Sequence, residues 1–188
     1  MITGRHSVIR TAGREDASAL RRYYSLGHPV AALLDQRYEF IMPTEDELAE
    51  VLSGPGLGRL GGMNVVEDGA GAVRGFCAIR NTPNEPYMGQ LVLILEALND
   101  YGSPLAVETV DYLREEAFAR KRLRKLMVYL LDDERELRAL VLRHGFESDG
   151  VQREVLYSAG RWYGLETLTL FGPGGTAAAG PARAMESC

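Results

Sequence analysis

The stretch from Leu91 to Gly150 limits the folds open to this chain more than any other. It begins with the continuous apolar run Leu91–Leu95, which has the length and composition of a strand buried on both faces. A polar turn, Asn99 to Pro104, follows, and then a helical pattern over Leu105–Arg120 with Ala106, Val110, Leu113 and Ala117 on one face. A second apolar run, Leu126–Leu131, leads into another helical pattern, Leu137, Leu140, Val141 and His144, which Gly145 ends as a C-cap. Strand, helix, strand, helix predicts a parallel βαβ unit with one further helix. The turn between the first strand and its helix aims backbone N–H groups outward, where they can hold an anion.

The remaining elements fall around this unit. Ser7–Thr11 reads as a strand and Arg14–Ser25 as a helix whose Ala17, Leu20 and Tyr24 share a face. Residues 26–44 mix helical and extended preferences, interrupted by Pro29 and Pro43. Thr44 with Glu47 has the form of a capping box, opening a helix that carries Leu48, Val51 and Leu52. Gly54-Pro55-Gly56 is a turn. Leu60–Glu67 and Val73–Arg80 read as antiparallel strands joined by Asp68-Gly69-Ala70-Gly71, and Asn81–Pro86 as a loop. The glycine runs at 54–62 and 69–75 open no helix after a strand, so they read as hairpin turns rather than dinucleotide loops. The expectation is a single α/β domain over residues 1–171, a mixed, twisted sheet flanked by helices. Gly172–Cys188, rich in Gly, Pro and Ala without an apolar face, is expected to be a flexible tail.

Composition excludes several function classes. With 46% hydrophobic and 25% charged residues the chain is of ordinary globular type. A net charge of −5 and a pI near 5.3 argue against nucleic acid as a partner, which needs a basic surface. The cations Arg120, Lys121, Arg122, Arg124 and Lys125 suit the negative end of a helix dipole. Neither an apolar leader nor a run of membrane-spanning length occurs, so the expectation is a cytoplasmic protein with no membrane partner. Cys77 sits in an apolar strand pattern and Cys188 ends the tail. His6, His28 and His144 lack ligand spacing, so no metal is expected, and no local signature marks a Ser or Cys nucleophile.

The stretch 91–150 resembles motifs A and B of the GCN5-related N-acetyltransferases, and the likeness extends over roughly residues 7–171. The closing segment GFESDGVQREVLYSAGRWYGLETLTL, through Gly145, Phe146, Gly150, Gly160, Arg161 and Trp162, resembles the subgroup that acetylates ribosomal-protein N-termini. The pyrophosphate turn of this family reads Gln/Arg-x-x-Gly-x-Gly/Ala; here the same place holds Tyr101-Gly102-Ser103-Pro104-Leu105-Ala106. A tyrosine thus replaces the cation or amide, and a proline, which has no N–H, replaces the central glycine. Glu134 and Val141 stand where the family offers an Asn for the cofactor and a Tyr as general acid.

The resemblance implies acyl-CoA-dependent N-acyl transfer to a primary amine, small or at a protein N-terminus, with acetyl-CoA or another acyl-CoA as co-substrate. The alternative is a catalytically silent domain of the same fold that binds a ligand or a partner protein. Acetyl transfer needs a nearby deprotonated amine, donors for the developing oxyanion and a proton for the thiolate. By resemblance, Leu95 and Glu96 on a splayed strand, with Tyr101, Gly102, Ser103, Leu105 and Ala106 at the turn, would hold the cofactor. Glu96 is the candidate base and Tyr157 the candidate proton donor. Against these, Glu96 reads equally as a solvent-facing strand end, Tyr157 as packing and His144 as a helix-end residue. Tyr101 either offers a hydroxyl to the cofactor or fills the site and excludes it. Residues 26–44 would border the acceptor site. The expected partner is the amine substrate, with a homodimer left open.

Overall fold

A computed structural model describes residues 1–25, 43–53, 62–82, 85–158 and 160–174. Its strands are β1 (Ile2–Thr3), β2 (Ser7–Thr11), β3 (Asn64–Asp68), β4 (Val73–Thr82), β5 (Glu85–Leu95), β6 (Lys125–Leu131), β7 (Glu147–Ser158) and β8 (Arg161–Phe171). They form one sheet in the order β1-β2-β3-β4-β5-β6-β8-β7. Every neighbouring pair is antiparallel except β5 and β6. The helices are α1 (Ala17–Ser25), α2 (Glu45–Ser53), α3 (Pro104–Glu115) and α4 (Arg135–Arg143). The expected mixed α/β sheet with flanking helices is therefore present, and α3 is the crossover between the two parallel strands.

The alternation of side chains along β5 explains its unbroken apolar run. Leu91, Leu93 and Leu95 join the core that includes Leu105, Val110 and Leu113 of α3 with Leu137, Leu140 and Val141 of α4. Val92 and Ile94 point the other way, into the core built with Leu20 and Tyr23 of α1 and Leu48 and Leu52 of α2. A strand that serves two cores has no polar face to alternate with. Burying each large aliphatic side chain contributes about 1.5–3 kcal/mol, so β5 is firmly anchored and a fixed frame for what lies at its end.

Capping and turn chemistry fix the element ends. Thr44 N–H donates to Glu47 Oε2 at 2.7 Å and Glu47 N–H to Thr44 Oγ1 at 3.2 Å, the expected capping box at the start of α2. At the β3–β4 turn, Asp68 Oδ1 accepts from the amides of Ala70 and Ala72, and Gly71 takes φ +80°. Gly145 ends α4 at φ +85°, while Phe146 N–H returns to the Val141 carbonyl. The β1–β2 connection is docked on α3 by Glu108, whose carboxylate accepts from the amides of Arg5 and His6 and from Ser7 Oγ.

Several boundaries differ from the sequence expectation. Most of the expected loop Asn81–Pro86 is strand: β4 runs through Thr82 and β5 starts at Glu85, with a register shift between Asn81 and Thr82. A bulge absorbs the irregularity there, which the prolines and polar residues made look like a break. The acidic residues Glu147–Asp149 belong to β7, and Gly150, at φ +138°, marks a second register shift. The two-residue β1 gave no periodic signal. The first helical segment opens as a 3-10 turn, Arg14–Asp16, and Tyr23 joins Ala17 and Leu20 in the core, edge-on to Phe76 with ring centroids 5.4 Å apart. The turn at 54–56, the mixed segment at 26–42 and the tail from 175 onward lie outside the described residues.

Candidate functional site

The parallel ladder between β5 and β6 is short. Met88, Gly89 and Gln90 pair with Lys125, Leu126 and Met127, yet β5 continues to Leu95 and β6 to Leu131. Each strand keeps its outer neighbour to the end, Leu95 opposite Gly75 of β4 and Leu131 opposite Leu165 of β8. The inner edges therefore part, and a wedge opens between the C-terminal halves of two parallel strands. Backbone direction alternates along a strand. Because Glu96 N–H donates to the Arg74 carbonyl on β4 at 2.9 Å, the N–H and C=O groups of Leu95 and Leu93 face the wedge.

Tyr101 occupies that edge. It sits on the 3-10 turn Leu98–Gly102 that links β5 to α3. Its hydroxyl accepts from Leu95 N–H at 3.2 Å and donates to the Leu93 carbonyl at 3.3 Å. The ring is buried in the core under α3 and α4. Burial pushes the phenol well above its ordinary value, so the hydroxyl keeps the proton it donates to Leu93.

The opposite lip of the wedge is closed by Glu134, which precedes α4. Its Oε2 accepts from Leu131 N–H at 2.7 Å, and its own N–H donates to the Leu131 carbonyl at 3.0 Å. Glu96, half-exposed just beyond β5, lies 3.2 Å from Arg74 Nη1, and Arg74 Nη2 binds Asp100 at 3.2 Å. Its carboxylate is thus part of an ion triad at the mouth of the wedge. The Tyr23 hydroxyl is buried and has no hydrogen-bond partner in the described structure. Burial, together with the nearby charge of Glu96, pushes its phenol up to about 12.

The turn that leads into α3 uses several of its own donors. Ser103 caps the helix: its Oγ accepts from Ala106 N–H at 3.3 Å and donates to the Asp100 carbonyl at 2.5 Å. Ser103 N–H also donates to the Asp100 carbonyl, at 3.0 Å, and Pro104 stands at the first helical position. Three of the four amides expected to face an anion are therefore engaged: that of Gly102 within the 3-10 turn, and those of Ser103 and Ala106 at the cap. The Leu105 amide directly follows Pro104 in the first turn of α3.

The other sequence candidates lie as follows. Tyr157 is exposed near the tip of the β7–β8 hairpin, its ring tilted against Trp162 at 5.2 Å. The tip is held to the loop after β6 by Arg161 on Asp133 at 2.7 Å, which puts it at the same end of the sheet as the wedge. Among the described residues, no hydrogen bond or ring contact joins Tyr157 to Glu96 or Tyr101. His144 Nδ1 lies 2.8 Å from the Leu140 carbonyl, which makes it a helix-end residue. Val141 is wholly buried and Cys77 lies in the core, where burial pushes its thiol up. Of the expected basic cluster, Arg120 pairs with Glu115 and Glu116, and Lys125 with Asp149.

Arg74, Asp100 and Tyr23 were not singled out from sequence. Arg74 interrupts an apolar strand and Asp100 adjoins Tyr101, and these were the available signals. Among the described residues no group of three or more His, Cys, Asp or Glu side chains could hold a metal ion, and no helix is long and apolar enough to cross a membrane. A cavity of about 520 Å³ lies elsewhere, at the far end of α3, lined by Ile9, Asn64, Ile79, Tyr112 and Glu116 among others.

The fold is that of the GCN5-related N-acetyltransferases. An N-acetyltransferase from Staphylococcus aureus Mu50 matches with a TM-score of 0.71 at 23% identity, over 88% of this chain and 98% of that one. The spermidine N-acetyltransferase of Vibrio cholerae, solved in complex with CoA and spermine, matches with a TM-score of 0.70 at 16% identity, over 88% and 95% of the two chains. A dodecameric structure of the Vibrio cholerae spermidine enzyme gives 0.71 at 17% identity, over 88% and 93%. No family model matches the sequence. No curated protein matches it either.

Proposed function

We propose that this protein is an acyl-CoA-dependent N-acyltransferase acting on a primary amine, carried by a small molecule or by a protein N-terminus. The observation that supports this reading is the parting of β5 from β6 after Gln90 and Met127, which leaves the edge groups of Leu93 and Leu95 directed into a wedge. Such an edge suits an extended thioester arm. The amine nitrogen attacks the thioester carbonyl, the C–S bond breaks and the acyl group moves to nitrogen. The amine gives up one proton and the thiolate takes one.

In this scheme Leu95 N–H polarises the thioester oxygen, as a backbone donor aimed at developing charge does. Glu96 receives the amine proton through solvent at the wedge mouth, and Tyr157, at the same end of the sheet, returns a proton to the thiolate. The Leu105 amide with the start of α3 holds the pyrophosphate; those of Gly102, Ser103 and Ala106 add to it once the turn and its cap open. Spermidine, the amine named for the Vibrio cholerae protein, is the first acceptor to try. A peptide with a free N-terminus is the second, on the resemblance of residues 145–162 to the protein-directed subgroup.

A second reading, a silent domain of this fold, is favoured by one specific observation: the Tyr101 hydroxyl already bridges Leu93 and Leu95. A thiol-release assay with acetyl-CoA and each amine separates the two. Amine-dependent release of CoA, lowered by roughly 10²–10⁴-fold in Glu96→Gln, is the result expected of the enzyme. Release with none of the amines, while acetyl-CoA still binds, would turn the assignment to the silent domain.

A further inference from the structure

We infer that Tyr101 is an internal occupant of the acyl-thioester slot, and that an amide-bearing ligand arm binds only when this side chain leaves the β5 edge. The inference rests on the reading of the wedge as that slot. Beyond Gln90, β5 has no β6 partner, yet Leu93 and Leu95 are buried, and buried backbone groups need partners. A single hydroxyl serves both: it accepts from Leu95 N–H and donates to the Leu93 carbonyl. An acyl-CoA arm laid along the same edge makes the same pair of bonds, with its thioester carbonyl accepting from Leu95 N–H and a neighbouring amide N–H of the arm donating to the Leu93 carbonyl. Tyr101 therefore mimics a strand or an extended amide chain, and the two cannot be there together.

The turn that carries Tyr101 is built to let it move. It is a short 3-10 segment bounded by the exposed residues Ala97 and Gly102, and nothing lies within 4 Å of where a Gly102 Cβ would be. A 3-10 turn is held by weaker bonds than an α-helix. The neighbouring Asp100 is tethered by the partly exposed Arg74, a pair that contributes little on its own. Displacing the phenol exposes an edge that the incoming amides then satisfy, so the hydrogen bonds exchange one for one. What remains is the fraction of molecules with the slot open, and apparent affinity falls by that fraction.

The test combines exchange and binding on the full chain. In Tyr101→Phe the Leu95 amide loses its acceptor, and its hydrogen exchange, followed by NMR, should speed up by at least tenfold. Tyr101→Ala, which also removes the ring, should bind acetyl-CoA at least tenfold more tightly than the parent by titration calorimetry. Leu95 exchange as slow in Tyr101→Phe as in the parent overturns the occupant. Equal acetyl-CoA affinity for the parent and Tyr101→Ala also overturns it, but leaves the wedge as the acyl-CoA slot. Absence of binding by every variant, with Leu95 exchange accelerated, overturns both this inference and the function on which it rests.

Discussion

Replacing Tyr101 by Phe removes one oxygen atom and nothing else, so its effect on stability can be worked out from the geometry. Two neutral hydrogen bonds disappear: the N–H···O bond of 3.2 Å is at the upper limit of the usual range and the O–H···O bond of 3.3 Å is longer than usual. Each contributes about 0.5–1.5 kcal/mol net, and a buried backbone group left without a partner costs about 1–3 kcal/mol. Both residues affected are buried, Leu93 at 1% and Leu95 at 5% exposure, so solvent does not take over freely. Relief of the buried hydroxyl offsets part of this, since Phe enters the core without a polar group to desolvate. The balance is a loss of about 2–3 kcal/mol. For a domain of this length that corresponds to a fall of roughly 4–12 °C in melting temperature. Urea unfolding with an unchanged m-value is the appropriate assay, with Tyr157→Phe as the control: its side chain is exposed, and such changes stay within about 0.5 kcal/mol. A loss in Tyr101→Phe no larger than in the control would refute the claim that the hydroxyl satisfies the open edge of β5.

Two further outcomes follow from the same structure. Asp16, nearly buried, is opposed by desolvation, but bonds from Arg10 at 2.8 Å and from the Gly13 amide at 2.8 Å outweigh it and hold its carboxyl below the ordinary value of 3.8. A depressed folded value means that the stabilisation is present above pH 3.8 and is lost as pH falls through the lower folded value. Acid titration by circular dichroism should show this, and Asp16→Asn should cost about 3 kcal/mol at neutral pH while flattening the acid limb. Ser103→Ala, which removes the cap on Ala106 N–H, should cost about 1 kcal/mol in urea unfolding and free that amide to face an anion, so inorganic pyrophosphate should protect the variant more than the parent.

The legible part of this fold was the part governed by periodicity. Leu91–Leu95 had to be a strand buried on both faces, and it lies between two cores. The βαβ order followed from Ala106, Val110, Leu113 and Ala117, and the ends of α2 and α4 followed from Thr44, Glu47 and Gly145. Boundaries set by register were not legible. Nothing local in Asn81–Pro86 distinguishes a bulged hairpin from a loop, because the pairing partner decides it. The site was only half legible. Sequence identified Tyr101 and Pro104 as departures from the acetyl-CoA turn, and left two roles open for the tyrosine. Which role holds depends on where β5 and β6 stop pairing, a long-range property with no signature in either strand. The Arg74–Glu96–Asp100 triad was hidden for the same reason: it joins residues from β4, the end of β5 and the following turn.

The central claim is that the gap between β5 and β6 is where an acyl-CoA thioester lies. The most direct measurement is a titration of the isotopically labelled protein with acetyl-CoA, following backbone amide shifts. The account predicts the largest changes at Leu93 and Leu95 on β5, at the Leu105 amide beside Pro104, and at the Tyr101 ring as it leaves the edge. Shifts confined to other elements, such as the cavity at the far end of α3, or none at saturating ligand in both the parent and Tyr101→Ala, would contradict it.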